Sequence, residues 1–153
     1  MRRPANLFLI FAVVVSAASM PSVYGASTDK EIKALEGVWV ARAIEVDGGK
    51  IEGFESGNVV QLFLDGNRYV SKIGPNAIEQ GTITVDPGKS PAWIDLMPQT
   101  GEKRGQVVPG IYMLRGDNLV LCIATSPANR PIEFAAPKGD NRILVIYKRI
   151  KSR

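Results

Sequence analysis

The chain contains no histidine and only one cysteine, Cys122. Without an imidazole base there is no Ser-His or Cys-His nucleophile, and most zinc sites, which draw on His and Cys, are excluded as well. A lone cysteine cannot form an internal disulfide, so the fold must be held by packing. The thiol lies in the apolar run Leu119 to Ala124, where a buried, inert state is expected. Clusters of one charge are also scarce. The basic residues are scattered apart from Lys148, Arg149, Lys151 and Arg153 near the end. Nucleic-acid binding needs a wider basic face than this tail, so no nucleic-acid partner is expected. No loop is dense enough in Asp and Asn for calcium, and no metal or cofactor is assigned.

One long apolar run is present, and it stands at the beginning. Arg2 and Arg3 precede Leu7 to Val15, and small residues follow up to Val23-Tyr24-Gly25. This is the layout of a secretory signal, with cleavage expected after Gly25. The run is too short to span ~30 Å of hydrocarbon comfortably, so no stable membrane insertion is expected after cleavage. The expected organisation is a signal peptide at 1–25 and one domain at 26–153, secreted or periplasmic. Loss of Arg2 and Arg3 leaves 17 basic residues against 15 acidic ones, a net charge of +2 instead of +4. The remaining length suits a single domain with one core.

STDKEIKALEG predicts a short helix, with Ser27 or Thr28 as its cap, Asp29 and Glu31 at its positive end, and Gly37 as its stop. Everything downstream alternates in the manner of strands and breaks at turn signals. Strands are predicted at 38–46, 58–64, 68–73, 78–85, 92–97, 107–114, 119–124 and 142–149. Asp65-Gly66-Asn67 is a tight hairpin signal. A proline-containing connection runs from Thr125 to Asn141. With no second helix to cross over, a parallel sheet is excluded, and short turns favour antiparallel neighbours in chain order. Eight such strands leave two exposed edges unless the sheet closes into an up-and-down barrel. The competing arrangement is a two-sheet sandwich.

Gly37-Val38-Trp39 resembles the start of a lipocalin, in which Gly-x-Trp opens the first strand after a short helix. The resemblance implies that Trp39 plugs the closed end and that an arginine near the last strand, here Arg149, lies over its ring. The stretches GIYMLRGDNLVLCIA, NRPIEF and ILVIYKR, with LEGVW and IDLMP, are similar to uncharacterised lipocalin-like domains found mostly in planctomycete-type bacteria. That resemblance covers about Leu35 to Arg149. It implies an all-β, eight-stranded antiparallel lipocalin-like barrel with a short N-terminal helix, and by analogy an apolar pocket.

Strict alternation predicts which side chains face inward. If Trp39 does, so do Ala41, Ala43 and Glu45, while Val40, Ile44 and Val46 lie on the other face beneath the helix. Tyr69 and Ile73, Gly81, Ile83 and Val85, Ile94 and Leu96, and Tyr112 and Leu114 complete the inner set. Such a lining suits either a modest cavity or a solid interior. In the first case a small apolar or amphipathic ligand is held by Tyr69, Ile83, Leu96 and Tyr112. In the second, the barrel is a structural module that meets an envelope protein through its outer surface or the 125–141 loop, anchored by Arg130 and Phe134.

Two motifs suggest chemistry and fail. Gly88-Lys89-Ser90 matches the end of a phosphate-binding loop, but Ile83 stands where its first glycine belongs, and no helix follows. Glu45 and Asp47 share a strand face ~7 Å apart, near the spacing of glycosidase carboxylates, but Asp47 belongs to a turn signal. No catalytic residue is assigned, and a non-enzymatic protein is expected.

Overall fold

The computed structural model of the chain describes residues 23–52, 57–125 and 129–151. Most of the expected export signal, and Pro127 of the long loop, lie outside the described residues. One helix, α1 (Val23–Leu35), precedes β1 (Gly37–Val46), β2 (Gly49–Lys50), β3 (Val60–Asp65), β4 (Arg68–Ile73) and β5 (Asn76–Asp86). Then come β6 (Ala92–Pro98), β7 (Val108–Arg115), β8 (Asn118–Ala124) and β9 (Arg142–Ile150). The helix begins upstream of Ser27 and Thr28, so these residues lie within it and do not cap it.

Apart from the two-residue β2, the strands form a ring in which each pairs antiparallel with the next, and β9 returns to β1. Closure satisfies the backbone groups that an open sheet would leave at its edges. The alternative of two stacked sheets is excluded by the β1–β9 ladder, which runs from Val38↔Ile150 to Val46↔Ile143. Two-residue connections at Gly66-Asn67, Gly74-Pro75 and Gly116-Asp117 fix the neighbouring registers. At Gly81 the β5 and β6 backbones approach so closely that a Cβ would lie 2.2 Å from the Met97 carbonyl oxygen.

The predicted inner face of β1 is correct only as far as Ala41. Ala41 pairs with Tyr147 and Ala43 with Ile146, so Arg42 is an extra residue in a bulge. A bulge shifts the alternation by one. Ile44 and Val46 therefore join the inner set, and Ala43 and Glu45 turn away from it. The helix does not cover Ile44 and Val46, which lie at the opposite end of the barrel from it. A second bulge, at Ile78 in β5, lies between the pairs Ser71↔Glu79 and Lys72↔Ala77.

A second apolar cluster forms outside the barrel. Ile111, Cys122 and Leu144 on the outer faces of β7, β8 and β9 pack with Ala136, Phe134 and Val120. The loop before β9 thus covers one side of the barrel. Arg130 pins it, pairing with Asp95 at 2.7 Å and donating to the Gly110 and Ile94 carbonyls at 2.8 and 3.2 Å. Its guanidinium also stacks on Trp93, 4.3 Å from the ring centroid. Arg130→Ala is expected to lose about 2 kcal/mol, since charge-assisted bonds are replaced by unpaired carbonyls. Limited proteolysis should then cut within residues 129–141 well before global unfolding. An intact loop in the variant would show that Phe134 and Ala136 hold it without the arginine.

Candidate functional site

The two ends of the barrel are built differently. At the end where β1 begins, Trp39 is fully buried, and its indole N–H donates to the Leu35 carbonyl at 2.9 Å. Arg149 lies over the ring, its guanidinium carbon 4.1 Å from the centroid. The same guanidinium donates to the carbonyls of Glu36 and, at 2.7 Å, Ala34, placing a cation at the negative end of α1. Gly37 makes this approach feasible: its φ is +136°, and a Cβ there would lie 3.0 Å from Arg149 Nη1. The Gly-Val-Trp triplet therefore closes this end through one helix, one ring and one arginine.

Tyr69, Ile83, Leu96 and Tyr112 are all buried in the barrel core. They belong to the filled part of the interior. The Tyr69 hydroxyl donates to Glu79 at 2.7 Å, and the Tyr112 hydroxyl to Glu31 of α1 at 3.0 Å. Burial and then these carboxylates push both phenols well above their ordinary value. Tyr112 also borders a cleft of about 510 Å³ outside the closed end, with Pro87 and Leu114.

The other end is open. A cavity of about 740 Å³ occupies it, within the range of small-molecule sites. Ile44 and Val46 of β1, Val60 of β3, Ile73 of β4 and Ile78 of β5 form one part of its wall. Val108, Ile123, Ile143, Val145 and Tyr147 form much of the rest. Tyr69, Ile83, Leu96 and Tyr112 are not among its lining residues. Ser71 and Glu79 add polar groups from adjacent strands, while Glu52, Asn58 and Lys103 stand toward the mouth. The interior is thus filled in its lower half and hollow in its upper half.

Tyr147 brings a phenol to this lining from β9. The residue is 5% exposed, and it faces the open cavity. Burial alone pushes its phenol upward. Period-two spacing from Arg149 would have placed Tyr147 and Val145 inward. The Ile44 and Val46 contributions were hidden by the bulge.

The remaining chemistry is structural. Asp47 has φ +52° in the β1–β2 turn, and its carboxylate accepts from the Gly139 amide at 2.6 Å. Cys122 is fully buried under the loop; burial raises its thiol above the usual value, and Sγ approaches the Ala135 carbonyl at 3.4 Å. Among the described residues, no group of three or more His, Cys, Asp and Glu is placed to hold a metal. No described helix is long and apolar enough to cross a membrane.

A closed antiparallel barrel of eight strands, plugged at one end and hollow at the other, defines an all-β, lipocalin-like architecture. Compared with family models, curated proteins and solved structures, the chain matches none of them.

Proposed function

We propose that the chain is an exported, non-catalytic binding protein whose open-ended cavity holds a small apolar or amphipathic molecule. The cavity of about 740 Å³ carries this reading, because isoleucine and valine dominate its wall. A solid barrel would have no use for apolar walls around so large a space, since interiors otherwise pack at crystal density. Export is supported by Arg2-Arg3, the Leu7–Val15 run and Val23-Tyr24-Gly25. The resemblance of LEGVW and ILVIYKR to uncharacterised lipocalin-like domains points to an apolar pocket by analogy. A second reading, docking to an envelope protein, is favoured by Ile132, which stands 78% exposed on the covering loop.

A neutral fluorescent probe, N-phenyl-1-naphthylamine, tests the cavity directly. The purified chain should bind it in one saturable step. Val60→Trp, which fills the wall at β3, should weaken that binding by about tenfold or more while leaving unfolding nearly unchanged, because the added ring occupies existing space. Native mass spectrometry of the protein from its own host should show a bound small molecule. A clean apo mass together with no probe binding would overturn the proposal.

A further inference from the structure

The polar groups inside the apolar cup define the head that its ligand must carry. Tyr147 projects from β9, and Glu79 and Ser71 from the paired strands β5 and β4. In the ring order β1-β3-β4-β5-β6-β7-β8-β9, β5 and β9 stand on opposite walls. An amphiphile entering the cup therefore meets a phenol on one side and a carboxylate with a serine on the other. From these positions we infer that the cavity selects an uncharged amphiphile bearing a hydroxyl head, inserted head-first. The inference rests on the ligand-binding reading above.

Donor and acceptor accounting separates the candidates. Tyr147 lines the open cavity, so its hydroxyl meets solvent there, and a hydrocarbon tail placed against it would strip that solvent and leave it unsatisfied. One Glu79 oxygen accepts the hydrogen bond from the Tyr69 hydroxyl at 2.7 Å, and a carboxylate offers further acceptor sites. A carboxylate head accepts from Tyr147 but sets like charge against Glu79. An ammonium head pairs with Glu79 but has no acceptor for Tyr147. An alkane satisfies neither. A hydroxyl donates to one wall and accepts from the other.

The lining cation, Lys103, belongs to the loop between β6 and β7 at the mouth, where Glu52 also stands. A tail-first fatty acid with its carboxylate at Lys103 would leave its terminal methyl against Tyr147. This is the arrangement that the inference excludes. The apolar mouth agrees with a tail lying outward, since Ile51, Ile73 and Ile78 are 46%, 38% and 48% exposed there.

The test is displacement of N-phenyl-1-naphthylamine from the purified chain at neutral pH by dodecanol, dodecanoate and dodecylamine. Dodecanol is expected to bind at least about tenfold more tightly than dodecanoate, because of the like charge at Glu79. Tyr147→Phe should lower dodecanol affinity about fivefold relative to the probe, the worth of one hydrogen bond. Glu79→Gln, which keeps a partner for Tyr69, should narrow the gap between dodecanol and dodecanoate. Dodecanoate or dodecylamine binding as tightly as dodecanol overturns the head assignment while the cavity reading stands. So does a dodecanol preference that neither substitution changes. Failure of the probe itself to bind removes both readings together.

Discussion

Trp39→Ala is expected to destabilise the protein by about 3–5 kcal/mol, a large share of the roughly 5–15 kcal/mol that holds an ordinary domain together. Three losses coincide. Removing the fully buried indole leaves a void at the plugged end of the barrel. The Leu35 carbonyl loses its donor. The Arg149 guanidinium loses the ring face beneath it, an interaction of about 1–2 kcal/mol where water is partly excluded. Trp39→Phe separates these terms, since it keeps an aromatic face but no N–H, and should cost distinctly less. Urea denaturation followed by circular dichroism reads both variants without relying on tryptophan emission. A loss below about 1 kcal/mol for the alanine variant, the level of an ordinary surface change, would sink the plug assignment.

The architecture was legible because its signals are local and repeated. Turn residues at Asp65-Gly66-Asn67 and Gly116-Asp117-Asn118 separate short alternating segments, and the sheet follows chain order around the ring. The Gly-Val-Trp triplet carried its own logic, and so did Arg149, two residues beyond Tyr147. The upper half of the barrel was harder to read. A bulge at Arg42 adds one residue without any proline or glycine to announce it, and every inward position beyond it changes sides. The extra residue at Ile78 is equally unmarked. Both bulges lie in the half that is hollow, where strict alternation misplaces the lining residues. Bulges concentrate at barrel rims because they re-aim side chains there.

The placement of Tyr69, Ile83, Leu96 and Tyr112 illustrates a second limit. Alternation tells which residues face inward, but not at what height the interior stops being filled. That height is set by side-chain volume across facing strands, a property of the closed ring and not of any one segment. The outer cluster illustrates a third. Leu121 and Cys122, Leu144 and Val145, and Ile111 and Tyr112 are adjacent pairs buried on opposite faces. Such runs show that a strand is covered on both sides, but they do not say by what. Here the cover is a loop whose own apolar content is modest, and its attachment depends on Arg130 meeting Asp95 from a distant part of the chain.

Alkaline pH should unfold this barrel steeply. Tyr69, Tyr112 and Tyr147 are 1%, 2% and 5% exposed, and burial is the largest reason that each phenol is raised above its ordinary value of 10.0. The carboxylates of Glu79 and Glu31 oppose a second negative charge at Tyr69 and Tyr112. Below pH 10 the three phenols are neutral in both states, and their contribution to stability is fully present. Above it, the unfolded chain releases three protons that the folded barrel retains, so stability falls as pH rises. The slope is about 1.4 kcal/mol per pH unit for each tyrosine, or about 4 kcal/mol per unit for the three together. A domain of ordinary stability is then exhausted within roughly two units above pH 10. Phenolate absorbance should rise in a cooperative step that coincides with loss of the β-sheet circular dichroism signal, and Tyr147→Phe should flatten the slope by about a third. Three phenols that ionise independently near pH 10 with the sheet intact would mean that their hydroxyls are solvated, and that the barrel interior is open to water well below the cavity floor.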